Sequence, residues 1–186
     1  MKRIFIIHGW GGFGGEGWQA WLKDELEKNG FAVMAPDMPD TENPEIEAWV
    51  SHLAGLVGKT DEETFFVGHS VGCQTILRYL ADLPPEDKAG GAIFVAGWFN
   101  LKGLSGEEEK IIMPWLKSPI NLVKVKTKTK KFFAVFSSND PFVPPEDEKL
   151  FKKKLGAKTL LLKDKGHFTE ESDLPIVLEK ILEMSK

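Results

Sequence analysis

Phe65-Phe66-Val67-Gly68-His69-Ser70-Val71-Gly72-Cys73-Gln74-Thr75-Ile76-Leu77-Arg78-Tyr79-Leu80 is the stretch that decides the fold. It opens on an apolar run of strand character and closes on apolar residues at helical spacing, with Ser70 between glycines at 68 and 72. A strand that passes straight into a helix must turn sharply, which forces the apex residue into a strained backbone and drives its side chain clear of the sheet. Glycines two residues away on each side leave room for the crossing. The stretch therefore predicts strand, nucleophile elbow and helix, with Ser70 as the nucleophile.

Gly-x-Ser-x-Gly is short enough to arise by accident, so its partners decide its meaning. A hydrolase elbow requires an acid and then a histidine further along the chain, each just after a strand. Only His8, His52, His69 and His167 are available. His52 lies in a helical pattern and reads as a solvated residue, His8 belongs to a glycine-rich motif, and the side chain of His69 is expected to diverge from Ser70. His167 remains, in Asp164-Lys165-Gly166-His167-Phe168 after the strand-like Leu160-Leu161-Leu162. For the acid, Ser137-Ser138-Asn139-Asp140-Pro141 follows another apolar run, and Pro141 restricts Asp140 to extended backbone. Its plain alternative is a turn-forming Asn-Asp-Pro, and Asp164 is the reserve. A carboxylate at Asp140 can select the tautomer of His167 and stabilise the imidazolium formed when Ser70 loses its proton.

Ile4-Phe5-Ile6-Ile7-His8-Gly9-Trp10-Gly11-Gly12 suits an oxyanion hole. Two backbone N–H donors must point at the carbonyl oxygen beforehand, because reorganising them during reaction would cancel what they contribute. The expected donors are the amides of Trp10 and Val71, and losing one typically costs about 3 to 4 kcal/mol of barrier. A phosphate loop is a weak reading, since Gly-x-x-x-x-Gly-Lys-Ser/Thr does not follow that strand.

These residues resemble those of the small, lidless serine hydrolases related to retinoblastoma-binding protein 9, most closely the bacterial YdeN-like members. The resemblance runs nearly end to end. Its marks are Ile7-His8-Gly9, Met38-Pro39-Asp40 followed by Trp49, the elbow continued through Cys73, Ile76, Leu77 and Arg78, Gly90-Gly91-Ala92-Ile93 running to Gly97, Gly166-His167-Phe168 and Leu174-Pro175-Ile176-Val177. It implies a compact α/β-hydrolase fold and a triad mapping onto Ser70, Asp140 and His167. No natural substrate is implied.

Six strand-like runs (3–7, 31–35, 64–67, 92–96, 131–136 and 159–162) alternate with helical patterns near 18–29, 44–58, 71–83, 145–155 and 174–184. This alternation predicts a single three-layer α/β domain over 1–186, with a mostly parallel sheet. Open sheets of this kind bind ligands beyond the carboxyl ends of their strands, where all four motifs converge. The stretch 98–130 is longer than an ordinary connection and has room for a helix and a loop, so a short cap-like insertion replaces the large cap domain of bigger hydrolases. Trp98, Phe99, Trp115 and Phe142, with Trp10, are candidate pocket walls; each reads individually as a packing aromatic. Glu107 to Lys110 and the lysine-rich 124–131 read as solvated surface rather than as docking patches.

At 186 residues and 42% hydrophobic, the chain builds one well-buried core. A net charge of −4 argues against general nucleic-acid binding. The single cysteine, Cys73, excludes an intramolecular disulfide and reads as buried packing. Residues 4–7 are too short for a signal-peptide core, and no run is long enough to span a membrane, so the cytoplasm is the expected location. Asp37, Asp40 and Glu42 lack histidine or cysteine companions at metal-ligand spacing, so no metal or cofactor is expected. The expected activity is hydrolysis of small carboxylic esters through an acyl-enzyme; the alternatives are an amidase or aminopeptidase-like enzyme of the same mechanism and a non-catalytic binding protein on the same fold.

Overall fold

The computed structural model describes residues 1–186 as seven helices on a six-stranded sheet. The strands are β1 (Arg3–Ile7), β2 (Ala32–Met34), β3 (Thr64–His69), β4 (Gly91–Val95), β5 (Phe132–Ser137) and β6 (Lys158–Leu162). Their spatial order is β2-β1-β3-β4-β5-β6 and every pairing is parallel. The central strands β3, β4 and β5 are buried along their whole length, as near-continuous apolar runs covered on both faces must be. The edge strand β2 is only three residues long and partly exposed, shorter than its hydrophobic pattern suggests; it pairs with β1 alone, through residues 32–34.

From β1 the chain steps out to β2 and then returns to the other side of β1 to place β3. The direction of winding reverses there, and reversal leaves a crevice beyond the carboxyl ends of β1 and β3. The elbow helix α3 (Val71–Asp82) begins at that crevice and is buried along nearly its whole length. Helices α1 (Gly17–Lys28), α2 (Ile46–Val57), α6 (Asp147–Leu155) and α7 (Pro175–Met184) complete the outer layers. None is long and apolar enough to cross a membrane.

The stretch between β4 and β5 holds two helices, α4 (Gly106–Lys117) and α5 (Leu122–Lys128), where the sequence pattern suggests one. Ser105 and Glu108 form a capping box that starts α4. The alternation of lysines from 124 onward hides α5. Its helical form is set by Asn121, whose side chain accepts from the Lys124 amide at 3.1 Å, and by Val125, which is fully buried. Lys128 is buried as well, its ammonium bonded to the Pro84 carbonyl, so this segment is not wholly the solvated surface its charge suggests.

Candidate active site

Ser70 caps α3 with φ 51° and ψ −118°, a conformation held only where the surroundings over-determine it. Its amide donates to the Val95 carbonyl and its carbonyl accepts from the Cys73 amide, both at 3.0 Å, so the elbow is pinned to β4 and to its own helix. The flanking glycines are sterically required. A Cβ on Gly72 would lie 2.6 Å from the His8 carbonyl oxygen and nearer still to that of Ile7, and one on Gly68 would lie 2.8 Å from the Cys73 nitrogen. Cys73 is fully buried beneath the elbow, and burial pushes its thiol up, which suits packing rather than nucleophilic chemistry.

Asp140 and His167 meet across the ends of β5 and β6. The carboxylate Oδ2 lies 2.8 Å from His167 Nδ1, and Oδ1 accepts from the amides of Phe142 and Val143, each at 2.9 Å. Burial alone would raise the Asp140 carboxyl. The hydrogen bond and charge of His167 and the two amides outweigh it and hold the group below its ordinary value. An ionised acceptor at Nδ1 puts the His167 proton on that nitrogen and leaves Nε2 unprotonated. Phe142 packs edge-on against the imidazole, with ring centroids 5.2 Å apart. The reserve acid, Asp164, has a largely exposed side chain 3.8 Å from Lys163.

Ser70 and His167 line one cavity, of about 450 Å³, without a direct hydrogen bond between them. Side-chain contacts of this kind often close only when substrate arrives. Trp10 and Val71 line the same cavity, and their backbone N–H groups donate to no protein acceptor. The loop carrying Trp10 is tied down by its neighbours: the indole donates to the Glu42 carbonyl at 2.8 Å, and the Gly11 amide to the Thr41 carbonyl at 2.8 Å. His8 braces it from below. Its Nε2 accepts from the Met38 amide at 2.9 Å, so Nδ1 carries the proton and lies 2.7 Å from the Gly9 carbonyl. Burial lowers the His8 pKa, in keeping with that neutral form.

Of the five aromatics expected as walls, Trp10 borders the cavity and the other four separate into two pairs. Trp98 and Phe142 line the cavity. Phe99 and Trp115 do not: Phe99 packs on Phe151 with centroids 4.7 Å apart, while Trp115 fills the core against Trp49 and donates its indole N–H to the Pro44 carbonyl. Leu101, Leu104, Ile111 and Ile112, which no sequence motif marks, form the apolar wall from the start of the inserted stretch. Glu16, Glu42, Glu107 and Glu108 also line the cavity, with no lysine or arginine among the lining residues. No group of three or more histidine, cysteine or acidic side chains could hold a metal ion.

The chain as a whole has counterparts among known proteins. The chain is 28% identical over 181 residues to YdeN of Bacillus subtilis (strain 168), covering 96% of this chain and 93% of that one. It is 26% identical over 185 residues to the serine hydrolase RBBP9 of Rattus norvegicus, covering 97% and 95%. The crystal structure of the B. subtilis ydeN product superposes with a TM-score of 0.89 at 27% identity, over 99% of this chain and 98% of that one. Est1E from Butyrivibrio proteoclasticus shares the fold, with a TM-score of 0.73 at 20% identity over 98% and 88% of the two chains. The description of one family, serine hydrolase, fits residues 4–179, nearly the whole sheet with its elbow, and to that family this chain belongs.

Proposed function

We propose that this protein hydrolyses small carboxylic esters, with Ser70 as nucleophile, His167 as general base and acid, and Asp140 as the orienting carboxylate. The Ser70 proton passes to His167 Nε2 as Oγ bonds to the acyl carbon, and the Trp10 and Val71 amides receive the oxyanion. Collapse of that intermediate expels the alcohol, which leaves with the proton from Nε2. Water then gives a proton to His167 and its oxygen to the acyl carbon, the acyl–Oγ bond breaks, and Ser70 recovers its proton as the acid departs. The observation that carries this reading is the 2.8 Å contact of Asp140 with His167 at the mouth of a cavity that also holds the strained Ser70. The stretch 98–130 acts in this reading as a short cap, its leucines and isoleucines forming the acyl-side wall.

A fluorophosphonate probe tests it directly. Labelling of the wild type and none of Ser70→Ala is the expected result; equal labelling of both would remove Ser70 from its role, and no labelling of either would favour a binding protein. p-Nitrophenyl esters of graded acyl length, compared with an aminoacyl anilide, then separate esterase from amidase, with short esters expected to turn over fastest.

A further inference from the structure

His167 sits on a loop whose backbone is costly to hold. Asp164, Gly166 and Phe168 all take positive φ, at 54°, 52° and 61°, and two of the three are not glycine. Such residues each cost on the order of 1 to 3 kcal/mol and persist only where neighbours impose the shape. The neighbours here come from the acid loop, residue against residue. Ser138 Oγ accepts from the Asp164 amide at 3.2 Å, Ser137 Oγ from the Lys165 amide at 2.9 Å and Asn139 Oδ1 from the Gly166 amide at 2.8 Å. Ser137 Oγ also donates to Asn139 Oδ1 at 2.8 Å, which joins two of these bonds into one network. Asp140 continues the series with the His167 side chain.

Those bonds hold the loop from the β5 side up to residue 166. The carbonyl of His167 is held from the opposite side, by the residue before the nucleophile: His69 Nε2 lies 2.8 Å from it and must donate, since a carbonyl only accepts. The His69 ring has little freedom to move. Trp18 meets it edge-on with centroids 5.9 Å apart, and the Gly9 backbone is so close that a Cβ there would lie 3.0 Å from His69 Nδ1. Burial, and the neighbouring His167, lower its pKa to about 3, so it stays neutral with one fixed N–H.

We infer that His69 is a positioning residue, which by gripping the His167 carbonyl sets the height of the catalytic imidazole over Ser70, with Asn139 as its counterpart on the other side of the loop. The inference rests on the roles of Ser70 and His167 proposed above. The strand end that presents the nucleophile thereby also anchors the base. A displacement of about 1 Å in such a group is enough to cost about a hundredfold in rate, and no hydrogen bond between Ser70 and His167 otherwise fixes their separation.

The test compares His69→Leu, His69→Gln, Asn139→Ala and Asn139→Asp with wild type and Ser70→Ala, reading kcat and KM for one p-nitrophenyl ester across pH, with thermal unfolding of each variant. His69→Leu and Asn139→Ala should each lower kcat by about 10- to 100-fold with KM within about twofold. His69→Gln keeps a donor at the place of Nε2, and Asn139→Asp keeps the acceptor, so each should recover most of the loss. Asn139 is exposed, and its variants report even where a change at His69 prevents folding. A kcat within about threefold of wild type in both deletion variants, or a loss that the conservative variants do not recover, overturns the proposal. If Ser70→Ala stays active, the triad reading itself has failed; if it is inactive while His69→Leu and Asn139→Ala are not, only the positioning inference has.

Discussion

The acid and histidine loops, and the stretch 98–130 that faces them across the cavity, are built on different physics. The two loops are joined by directional hydrogen bonds between consecutive residues, from Ser137 to Asp140 on one side and from Asp164 to His167 on the other. The facing stretch is hydrogen-bonded at its base, where the Asp147 carboxylate accepts from the Phe99 and Asn100 amides and the Lys102 amide donates to the Phe142 carbonyl. The side chains it turns to the cavity, Leu101, Leu104 and Ile112, are instead held by packing. Trp115 is its plug, and Arg78 reaches from α3 to the carbonyls of Trp115 and Ser118, at 2.8 and 3.0 Å. Hydrogen bonds fix atoms to a few tenths of an ångström, as proton transfer demands, whereas apolar walls tolerate exchange of one side chain for another of similar volume. The first region should therefore answer substitution with lost chemistry, and the second with altered preference.

The most severe test of that contrast is Asp140→Asn. The amide keeps nearly the same shape but favours the wrong tautomer of His167, and kcat should fall by about 10⁴-fold with folding little changed. Asp164→Asn, three residues before the histidine and exposed, should leave kcat within about twofold. Steady-state turnover on one p-nitrophenyl ester settles both, and a loss under tenfold in Asp140→Asn would remove the carboxylate from the mechanism.

Gly72→Ala comes next. The added methyl would strike the carbonyls of Ile7 and His8, main-chain atoms at the base of the Trp10 loop that cannot swing aside as a side chain would. A loss of about 3 kcal/mol in urea unfolding is expected, near the upper end of ordinary overpacking costs. Gly55→Ala in α2, where a Cβ meets nothing within 4 Å, should instead be neutral or slightly stabilising.

This division also explains how much of the molecule is legible in the chain. Ser70, Asp140 and His167 stand out because a sharp turn, a proline-fixed carboxylate and a post-strand histidine each demand a particular residue type at a particular place. The parallel sheet follows from the alternation of strand and helix patterns. His69 carries no such signal: its part depends on a contact with His167, far away in sequence, and a histidine beside Ser70 reads as incidental. The walls are illegible for a different reason. Trp98 and Trp115 are both buried large aromatics close together in sequence, yet only one borders the cavity, and which one depends on how α4 lies against α2. Helix α5 is concealed because its lysines alternate with Val125, Thr127 and Thr129, a period of two that reads as a solvated edge beside a strand rather than as a helix.

Acid should weaken the loop region before any chemistry is measured. His69 has a folded pKa lowered to about 3 and His8 is also lowered, while in the unfolded chain both take up protons near pH 6.5. A group whose folded pKa is depressed stabilises the fold fully above its unfolded value, and that contribution is lost as pH falls toward the folded one. Stability should therefore decline from about pH 6.5 downward, with His69 alone accounting for about 2 kcal/mol by pH 5. Asp140, also lowered, adds a further loss only below about pH 4. Urea midpoints between about pH 7.5 and about pH 4.5 would show the slope. His69→Gln, which has nothing to titrate there, should make it shallower and leave only the His8 part, and an equal slope in that variant would deny the buried neutral state of His69.

The smallest effect belongs to the opposite wall. Ile111 is half-buried on α4 and lines the cavity without making a side-chain hydrogen bond, so Ile111→Ala widens the space available to an acyl chain and removes apolar contact from a short one. A few methylenes in a hydrophobic pocket are worth about 1 to 3 kcal/mol at full burial, and less where one side is open to water. We expect kcat/KM for the shortest esters to fall by less than about tenfold, that for longer ones to rise relative to it, and the rate of fluorophosphonate labelling to stay within about twofold. That pattern would mark the wall as selective and the two loops as chemical. A collapse of labelling in Ile111→Ala would instead mean that the packed side also sets the geometry of Ser70, and the separation drawn between the two regions would fail.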